Sequence, residues 1–379
     1  MKKENKKGQW KQVLALVPFL LIGAICGVMM VRYLDRIVTP GSSMGTEVLS
    51  MLALFLLMYV GIFLQIIVHE AGHLVFGLLT GYRFSSFRIM NFIWVKQNGN
   101  LHFRRLSIAG TGGQCLMVPP DLVDGRLPYV LYNLGGSLMN VLFSGLCLLI
   151  AVICTSAFLD TVLGMFSIIG FAFALINGIP MRMGTIDNDG YNALSLGKEP
   201  AALRAFWLQM KISEQTSAGV RLKDMPADWF EVPTDEAMAN SMIGALGVFA
   251  ANRMMDAHDF SEADRLMEHL LRLKSGIVGL YKSMMTCDRI YCELISENRP
   301  EVVTGMLTKD QKKFMKSMKT YPSVLRTEYA LALLSEQNEM KTAQLLSQFE
   351  KMAKTYPYPS DIASERELMQ LALEHKNSL

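Results

Sequence analysis

Four stretches of the chain, residues 13–30, 48–68, 127–159 and 161–181, carry no charged side chain. A helix needs about 20 apolar residues to cross the hydrocarbon of a bilayer. These runs therefore dictate an all-α polytopic membrane core with about four transmembrane helices, over about 13–32, 48–80, 127–159 and 161–181. The charge distribution sets its limit. Residues 1–190 hold 14 Lys/Arg and 9 Asp/Glu, whereas residues 191–379 hold 23 and 25. The membrane core is expected to occupy 1–192, and a soluble α-helical domain 197–379.

Residues 1–11 carry five lysines ahead of the first apolar run. That run exceeds the ~7–15 residues of a signal-peptide core, and no small-residue cleavage motif follows it, so it reads as a retained helix. Arg83, Arg88, Lys96, Arg104, Arg105 and Arg126 follow the second run, while Asp160 alone separates the third from the fourth. The positive-inside rule then places both termini and the 82–126 segment in the cytoplasm, as expected of a multi-pass protein in a cell membrane. The short lysine-rich start and compact loops suit a bacterium. Neither half concentrates basic residues on one face, which speaks against a nucleic-acid partner. The six cysteines include no Cys-x-x-Cys pair, and three lie in apolar runs, which excludes a secreted disulfide framework.

Within 82–126, the runs 87–95 and 101–108 are rich in aromatic and β-branched residues and flank Gln97-Asn98-Gly99-Asn100. Asn-Gly between such runs is a strong hairpin signal, so a small cytoplasmic β-hairpin insertion is expected over 84–108. The run Phe92-Ile93-Trp94-Val95 favours contact with lipid or a partner. In the tail, the polar turns at 257–260, 296–299 and 336–339 recur about 40 residues apart (Asp259, Asn298, Asn338). A solenoid-like stack of helical hairpins, similar to tetratricopeptide arrays, would explain the spacing and hold a protein partner. A compact helical bundle is the alternative.

The second apolar run leads into His69-Glu70-Ala71-Gly72-His73. Residues i and i+4 share a helical face, so His69 and His73 can hold one zinc ion while Glu70 serves a water molecule as base. Ionisable side chains in hydrocarbon cost about 2.5–3.5 kcal/mol each, and a shared cation is the natural compensation for three within five residues. A hydrolytic zinc takes three protein ligands and keeps a position open. The fourth run ends at Asn177-Gly178-Ile179-Pro180, whose glycine and proline would interrupt a helix, and Asp187 and Asp189 follow. One of these two aspartates is the expected third ligand.

In these features the chain resembles the site-2 proteases, zinc metalloproteases that cut within membranes. His69-Glu70-Ala71-Gly72-His73 matches their His-Glu-x-x-His. Gly136-Ser137-Leu138-Met139-Asn140 is similar to Gly-Pro-x-x-Asn, with Ser137 in place of proline. Asn177-Gly178-Ile179-Pro180 followed by Asp189-Gly190 resembles Asn-x-x-Pro…Asp-Gly. The resemblance covers roughly 48–192. It implies one Zn2+ per chain on His69, His73 and Asp189 rather than Asp187, with Glu70 as the catalytic general base. The implied reaction is hydrolysis of a peptide bond in or near a membrane span, by water that zinc activates. The substrate would be a transmembrane protein or peptide that unwinds locally in the lipid bilayer. It would pair by strand addition with 87–95 or 101–108. Asn140 and Asn177 are expected to bind the opened substrate backbone, with hydrogen bonds between neighbouring helices as the alternative. Gly135-Gly136-Ser137 would let the third span approach the metal-binding helix closely. Two other readings compete. One is a non-catalytic membrane adaptor with a retained metal site, against which Glu70 argues. The other is a prenyl-protein protease, which would need a glutamate that the last two spans lack.

Overall fold

The computed structural model describes residues 17, 20–21, 23–32, 43–97, 99–108, 111–183 and 186–378. Helices dominate them, and contacts divide the chain into two compact units. One joins Met1–Gly81 to Pro128–Ser195, and the other joins Tyr82–Leu127 to Leu196–Leu379. The segment 84–108, grouped with the membrane core on sequence grounds, thus packs with the tail helices.

The first unit contains α1 (Gly23–Arg32), α2 (Met44–Leu79), α3 (Tyr129–Ile153) and α4 (Ala157–Gly178). Among the described residues, α2, α3 and α4 are long and apolar enough to cross a membrane. Of the expected first span, α1 covers 23–32, and most of 13–22 lies outside the described residues. At 1.5 Å per residue, the 36 residues of α2 extend about 54 Å, well beyond a hydrocarbon layer of about 30 Å.

The distribution of side chains is inverted relative to a water-soluble protein. On α2 the buried set is Gln65, His69, Glu70 and His73 with Leu54 and three glycines, while Leu49, Leu52, Leu56 and Tyr59 face outward. On α3 the buried set includes Asn133, Ser137, Asn140 and Ser144, while Leu142, Leu146, Leu149 and Val152 face outward. Such helices gain nothing by hiding leucine from lipid. They associate through small residues and interhelical hydrogen bonds. The turn between α3 and α4 falls at 154–156, earlier than the expected break at Asp160. Ser156 caps α4 by accepting from the Leu159 amide, which places Asp160 in the first turn, at the positive end of the helix dipole.

The second unit begins with an antiparallel sheet of four strands, not a single hairpin. These are β1 (Arg83–Ile89), β2 (Phe92–Gln97), β3 (Asn100–Arg105) and β4 (Gly113–Val118), in the order β3-β2-β1-β4. The Asn-Gly signal lands where it should, since Gln97 pairs with Asn100 and Gly99 has φ +82°. The run 87–95 is broken because Met90 takes a left-handed φ of 52° in a tight turn joining Ile89 to Phe92.

The helices of this unit run from α6 (Pro200–Ser217) through α7 (Ser241–Asp256), α8 (Phe260–Arg272), α9 (Gly279–Leu294), α10 (Pro300–Met306), α11 (Lys309–Ser317), α12 (Pro322–Ala330) and α13 (Glu339–Ala353) to α14 (Pro359–Ser378). The three expected polar turns fall between helices. Each holds one non-glycine residue with positive φ: His258, Asn298 or Gln337. One core runs through the unit, and Ile93 and Leu106 of the sheet region join Met267, Tyr291, Leu334 and Phe349 in it. The Arg105 amide donates to Thr355 O at 2.9 Å, and Gln97 Nε2 to Pro357 O at 2.6 Å, tying the sheet to the end of α13.

Candidate metal centre

His69 and His73 lie one turn apart on α2, ten and six residues before its end, and project to one side. Opposite them stands Asp189, the first residue of the short helix α5 (Asp189–Ser195). Asp189 Oδ2 lies 3.1 Å from His69 Nε2 and 3.4 Å from His73 Nε2, and the two Nε2 atoms are 3.2 Å apart. Among the described residues, these three form the one group of histidine, cysteine and carboxylate side chains whose donor atoms could hold a metal ion.

The far edges of both rings determine what can occupy the space between them. His73 Nδ1 lies 2.8 Å from the carbonyl oxygen of Tyr132, which can only accept, so the ring proton sits on Nδ1. His69 Nδ1 lies 2.8 Å from Asn140 Oδ1. The orientation of that amide follows from its nitrogen, which donates to Gln65 Oε1 at 2.7 Å and to Gln65 O at 3.1 Å. Gln65 Nε2 in turn donates to Phe166 O of α4 at 2.9 Å. In neutral rings both Nε2 atoms are therefore lone pairs, and they converge with a carboxylate oxygen. Three electron-rich atoms facing one another repel unless a cation lies among them. Donors about 2.0–2.1 Å from a shared tetrahedral zinc stand roughly 3.3 Å apart. The observed separations of 3.1–3.4 Å fit that requirement.

Local folding separates the two aspartates. After α4 the chain forms a two-residue ladder, β5 (Arg182–Met183) and β6 (Ile186–Asp187). Asp187 pairs there with Arg182, accepting from its Nε at 2.6 Å. Two residues later the chain turns into α5 and presents Asp189 to the histidines.

Asn188, which the sequence reading passed over, secures this turn. Its Oδ1 accepts from the amides of Met181 at 3.0 Å and Tyr191 at 2.9 Å. Its Nδ2 donates to the carbonyls of Ile176 and Ile179, both at 2.7 Å. One side chain thus caps α5 and satisfies carbonyls that the interruption of α4 leaves open. The available signal was an asparagine directly before a helix start.

Glycines set the spacing of the backbones. A Cβ on Gly72 would lie 2.2 Å from Gly135 O, and one on Gly190 would lie 2.1 Å from Gly178 O. The expected close approach of Gly135-Gly136-Ser137 to α2 is thus realised as backbone against backbone.

The remaining expected site residues divide. Glu70, the residue after His69 on α2, is buried as well. Asn140 is wholly buried, with its amide committed to His69 and Gln65. These are hydrogen bonds between neighbouring helices, the alternative reading of Asn140. Asn177 is half-buried at the end of α4, where its Nδ2 donates to Phe173 O. The proposed strand-addition segments also separate. The run 87–95 contributes to β1 and β2, which are paired on both sides, while β3, most of which falls in 101–108, lies at a sheet edge.

The sequence profile of Peptidase family M50 matches residues 57–356. That span takes in both histidines, the interrupted end of α4, Asp189 and most of the second unit. No curated protein and no solved structure matches the chain.

Proposed function

Because the chain belongs to Peptidase family M50, the site-2 protease family of membrane-embedded metalloproteases, we propose that it hydrolyses a peptide bond in or near a transmembrane segment of a membrane protein or peptide. The observation that carries this reading is the convergence of two imidazole lone pairs and one carboxylate inside a bundle of apolar helices. The donor set suits Zn2+, held by His69, His73 and Asp189. When bound, the ion would supply Lewis acidity to the scissile carbonyl and to water.

The chain's own residues do the rest. Glu70 takes the proton from the attacking water and returns it to the leaving amine. Asn140 and the Tyr132 carbonyl hold the two imidazoles in the tautomer that leaves Nε2 open. A substrate helix must unwind before its peptide bonds become accessible, because its own hydrogen bonds shield them. Asn177, half-buried where α4 ends, supplies amide hydrogen bonds to the opened backbone. The edge strand β3 offers main-chain partners to an extended segment. The arginines of 82–126, by the positive-inside rule, support a cytoplasmic side for this segment and both termini. The helices of the second unit recruit a protein partner.

The test is Glu70→Gln in the full-length protein, with zinc content and cleavage measured together. Retained zinc with abolished turnover supports the assignment. The natural substrates would then be the membrane proteins that accumulate uncut in cells carrying that variant. Undiminished cleavage by the variant would remove Glu70 from the reaction.

A further inference from the structure

The second unit encloses a cavity of about 480 Å3 between the sheet and helices α6, α7, α9, α12 and α14. Three arginines and four acids line it, namely Arg88, Arg221 and Arg326 with Asp256, Asp288, Asp361 and Glu365. Each arginine is already engaged. Arg326, almost wholly buried, pairs with Asp288 and donates through Nε to Glu365 at 2.9 Å. Arg221 donates through Nε to Asp256 at 2.9 Å and pairs with Glu367. Arg88 donates to the carbonyls of Met90 and Gly113 and to Thr111 Oγ1. An anionic ligand would find no uncommitted cation on these walls.

Asp361 is the exception among the acids. It accepts from the Tyr356 hydroxyl at 3.3 Å and forms no ion pair among the described residues. Burial, and then the charge of Glu365, push its carboxyl up to about 7. Tyrosines surround it. The Tyr321 and Tyr356 rings meet edge to face at 6.3 Å, as do those of Tyr356 and Tyr358 at 5.8 Å, and all three line the same cavity. Tyr281 lies on the wall as well. Tyrosine rings attract cations, and a half-buried carboxylate with no ion-pair partner beside them attracts cations more strongly.

We propose that this cavity is a binding site for an alkylammonium group, held by Asp361 against the Tyr321, Tyr356 and Tyr358 rings. The group would come either from a free small amine or from the lysine side chain of a peptide. With three arginines against four acids, the ionised lining carries one net negative charge, which a neutral ligand would leave unbalanced. An ammonium ion brings the lining to electrical balance.

Isothermal titration of the full-length protein in detergent, at mildly alkaline pH, tests this with two probes and their neutral isosteres. The probes are n-butylammonium against n-butanol, and Nα-acetyl-lysine methylamide against Nα-acetyl-norleucine methylamide. At least one cation binds, about tenfold or more tighter than its isostere. Binding of the lysine derivative alone identifies a peptide ligand, whereas binding of butylammonium identifies a free amine. Asp361→Asn lowers the affinity about tenfold or more, because the amide keeps the shape of the protonated acid and removes the charge. Tyr321→Leu, which leaves Asp361 in place, lowers it several-fold and decides the matter should the asparagine variant fail to fold. Absence of binding by both cations at millimolar concentration overturns the proposal. So does equal binding of the neutral isosteres, or unchanged affinity in a folded variant.

Discussion

Backbone contact between α2 and α3 sets how the candidate donors His69 and His73 meet their partners on α3, and Gly72→Ala puts that claim at risk. The added methyl would lie 2.2 Å from Gly135 O, 2.7 Å from Gly135 C and 2.7 Å from Met139 Cβ. Two of these atoms belong to the backbone and cannot rotate aside. Restoring van der Waals separation requires the helices to part by roughly 1 Å. Overpacking of this kind costs about 1–3 kcal/mol. Its larger effect is on geometry. His73 Nδ1 is tied to Tyr132 O of α3 at 2.8 Å, so parting the helices stretches or breaks the bond that fixes the ring. A misplacement of about 1 Å at a catalytic group can lower the rate about 100-fold. The assay is cleavage of a membrane substrate alongside zinc content and thermal stability. Gly145→Ala serves as the control, because a Cβ at Gly145 on α3 meets nothing within 4 Å. The expected outcome is an active, metal-loaded Gly145→Ala protein and a Gly72→Ala protein reduced about 100-fold. Equal activity in the two variants would refute the claim that backbone contact sets the geometry.

Asp189→Ala should reduce bound zinc strongly while Asp187→Ala leaves it close to wild type, because Asp187 is committed to Arg182; elemental analysis of the purified variants reads the difference. Asn188→Ala should lower activity by letting α5 swing away from α2, at about 1–2 kcal/mol for the lost cap, and denaturant unfolding alongside activity checks it. Asp361 makes the second unit less stable as pH rises, since its folded-state value of about 7 lies above the ordinary 3.8. Below both values the acid is protonated in either state and costs nothing. Between them the folded state retains a proton that the unfolded state releases, so stability falls with rising pH, by up to about 4 kcal/mol in all. Asp361→Asn should therefore gain stability over wild type progressively from about pH 4 to pH 7. A difference between the two melting curves that does not change with pH would count against a buried, unpaired acid.

Local signals account for what the sequence alone disclosed. His69 and His73 fall on one face of a helix by spacing, and the glycine and proline after Asn177 announce the end of α4. The Asn-Gly pair marks the β2–β3 turn for an equally local reason, since a two-residue connection needs positive φ. The misreadings come from interactions that no local pattern contains. Strand β4 pairs with β1 across more than 20 residues, and Met90 breaks an apolar run that composition alone reads as continuous. The sheet joins the tail helices through contacts to Thr355 and Pro357, some 250 residues downstream. In the sequence Asp160 separates two apolar runs, and a charge inside a span is costly. A helix N-terminus tolerates an acid, and Ser156 was the cap to look for.

Asn140 shows why a motif alone does not fix the role of each residue in it. Nothing in the chain order says whether an asparagine on a neighbouring helix faces the substrate or the ligand. The answer depends on α4, because Gln65 holds the Asn140 amide and is itself held by Phe166 O. His69 is therefore oriented by a relay that begins in a backbone carbonyl of α4, the same helix whose broken end Asn188 staples while Asp189 is delivered. Two of the three candidate metal donors thus depend on α4, one through hydrogen bonds and one through the chain itself. A displacement of α4 relative to α2 would move Asp189 and rotate His69 together, so the site can be disabled without any change at the ligands. Gly170 sits on this seam, where a Cβ would lie 2.3 Å from Gln65 Nε2 and 2.0 Å from Ser144 Oγ. A side chain at this position would have to displace the Gln65 amide, and with it the relay to His69.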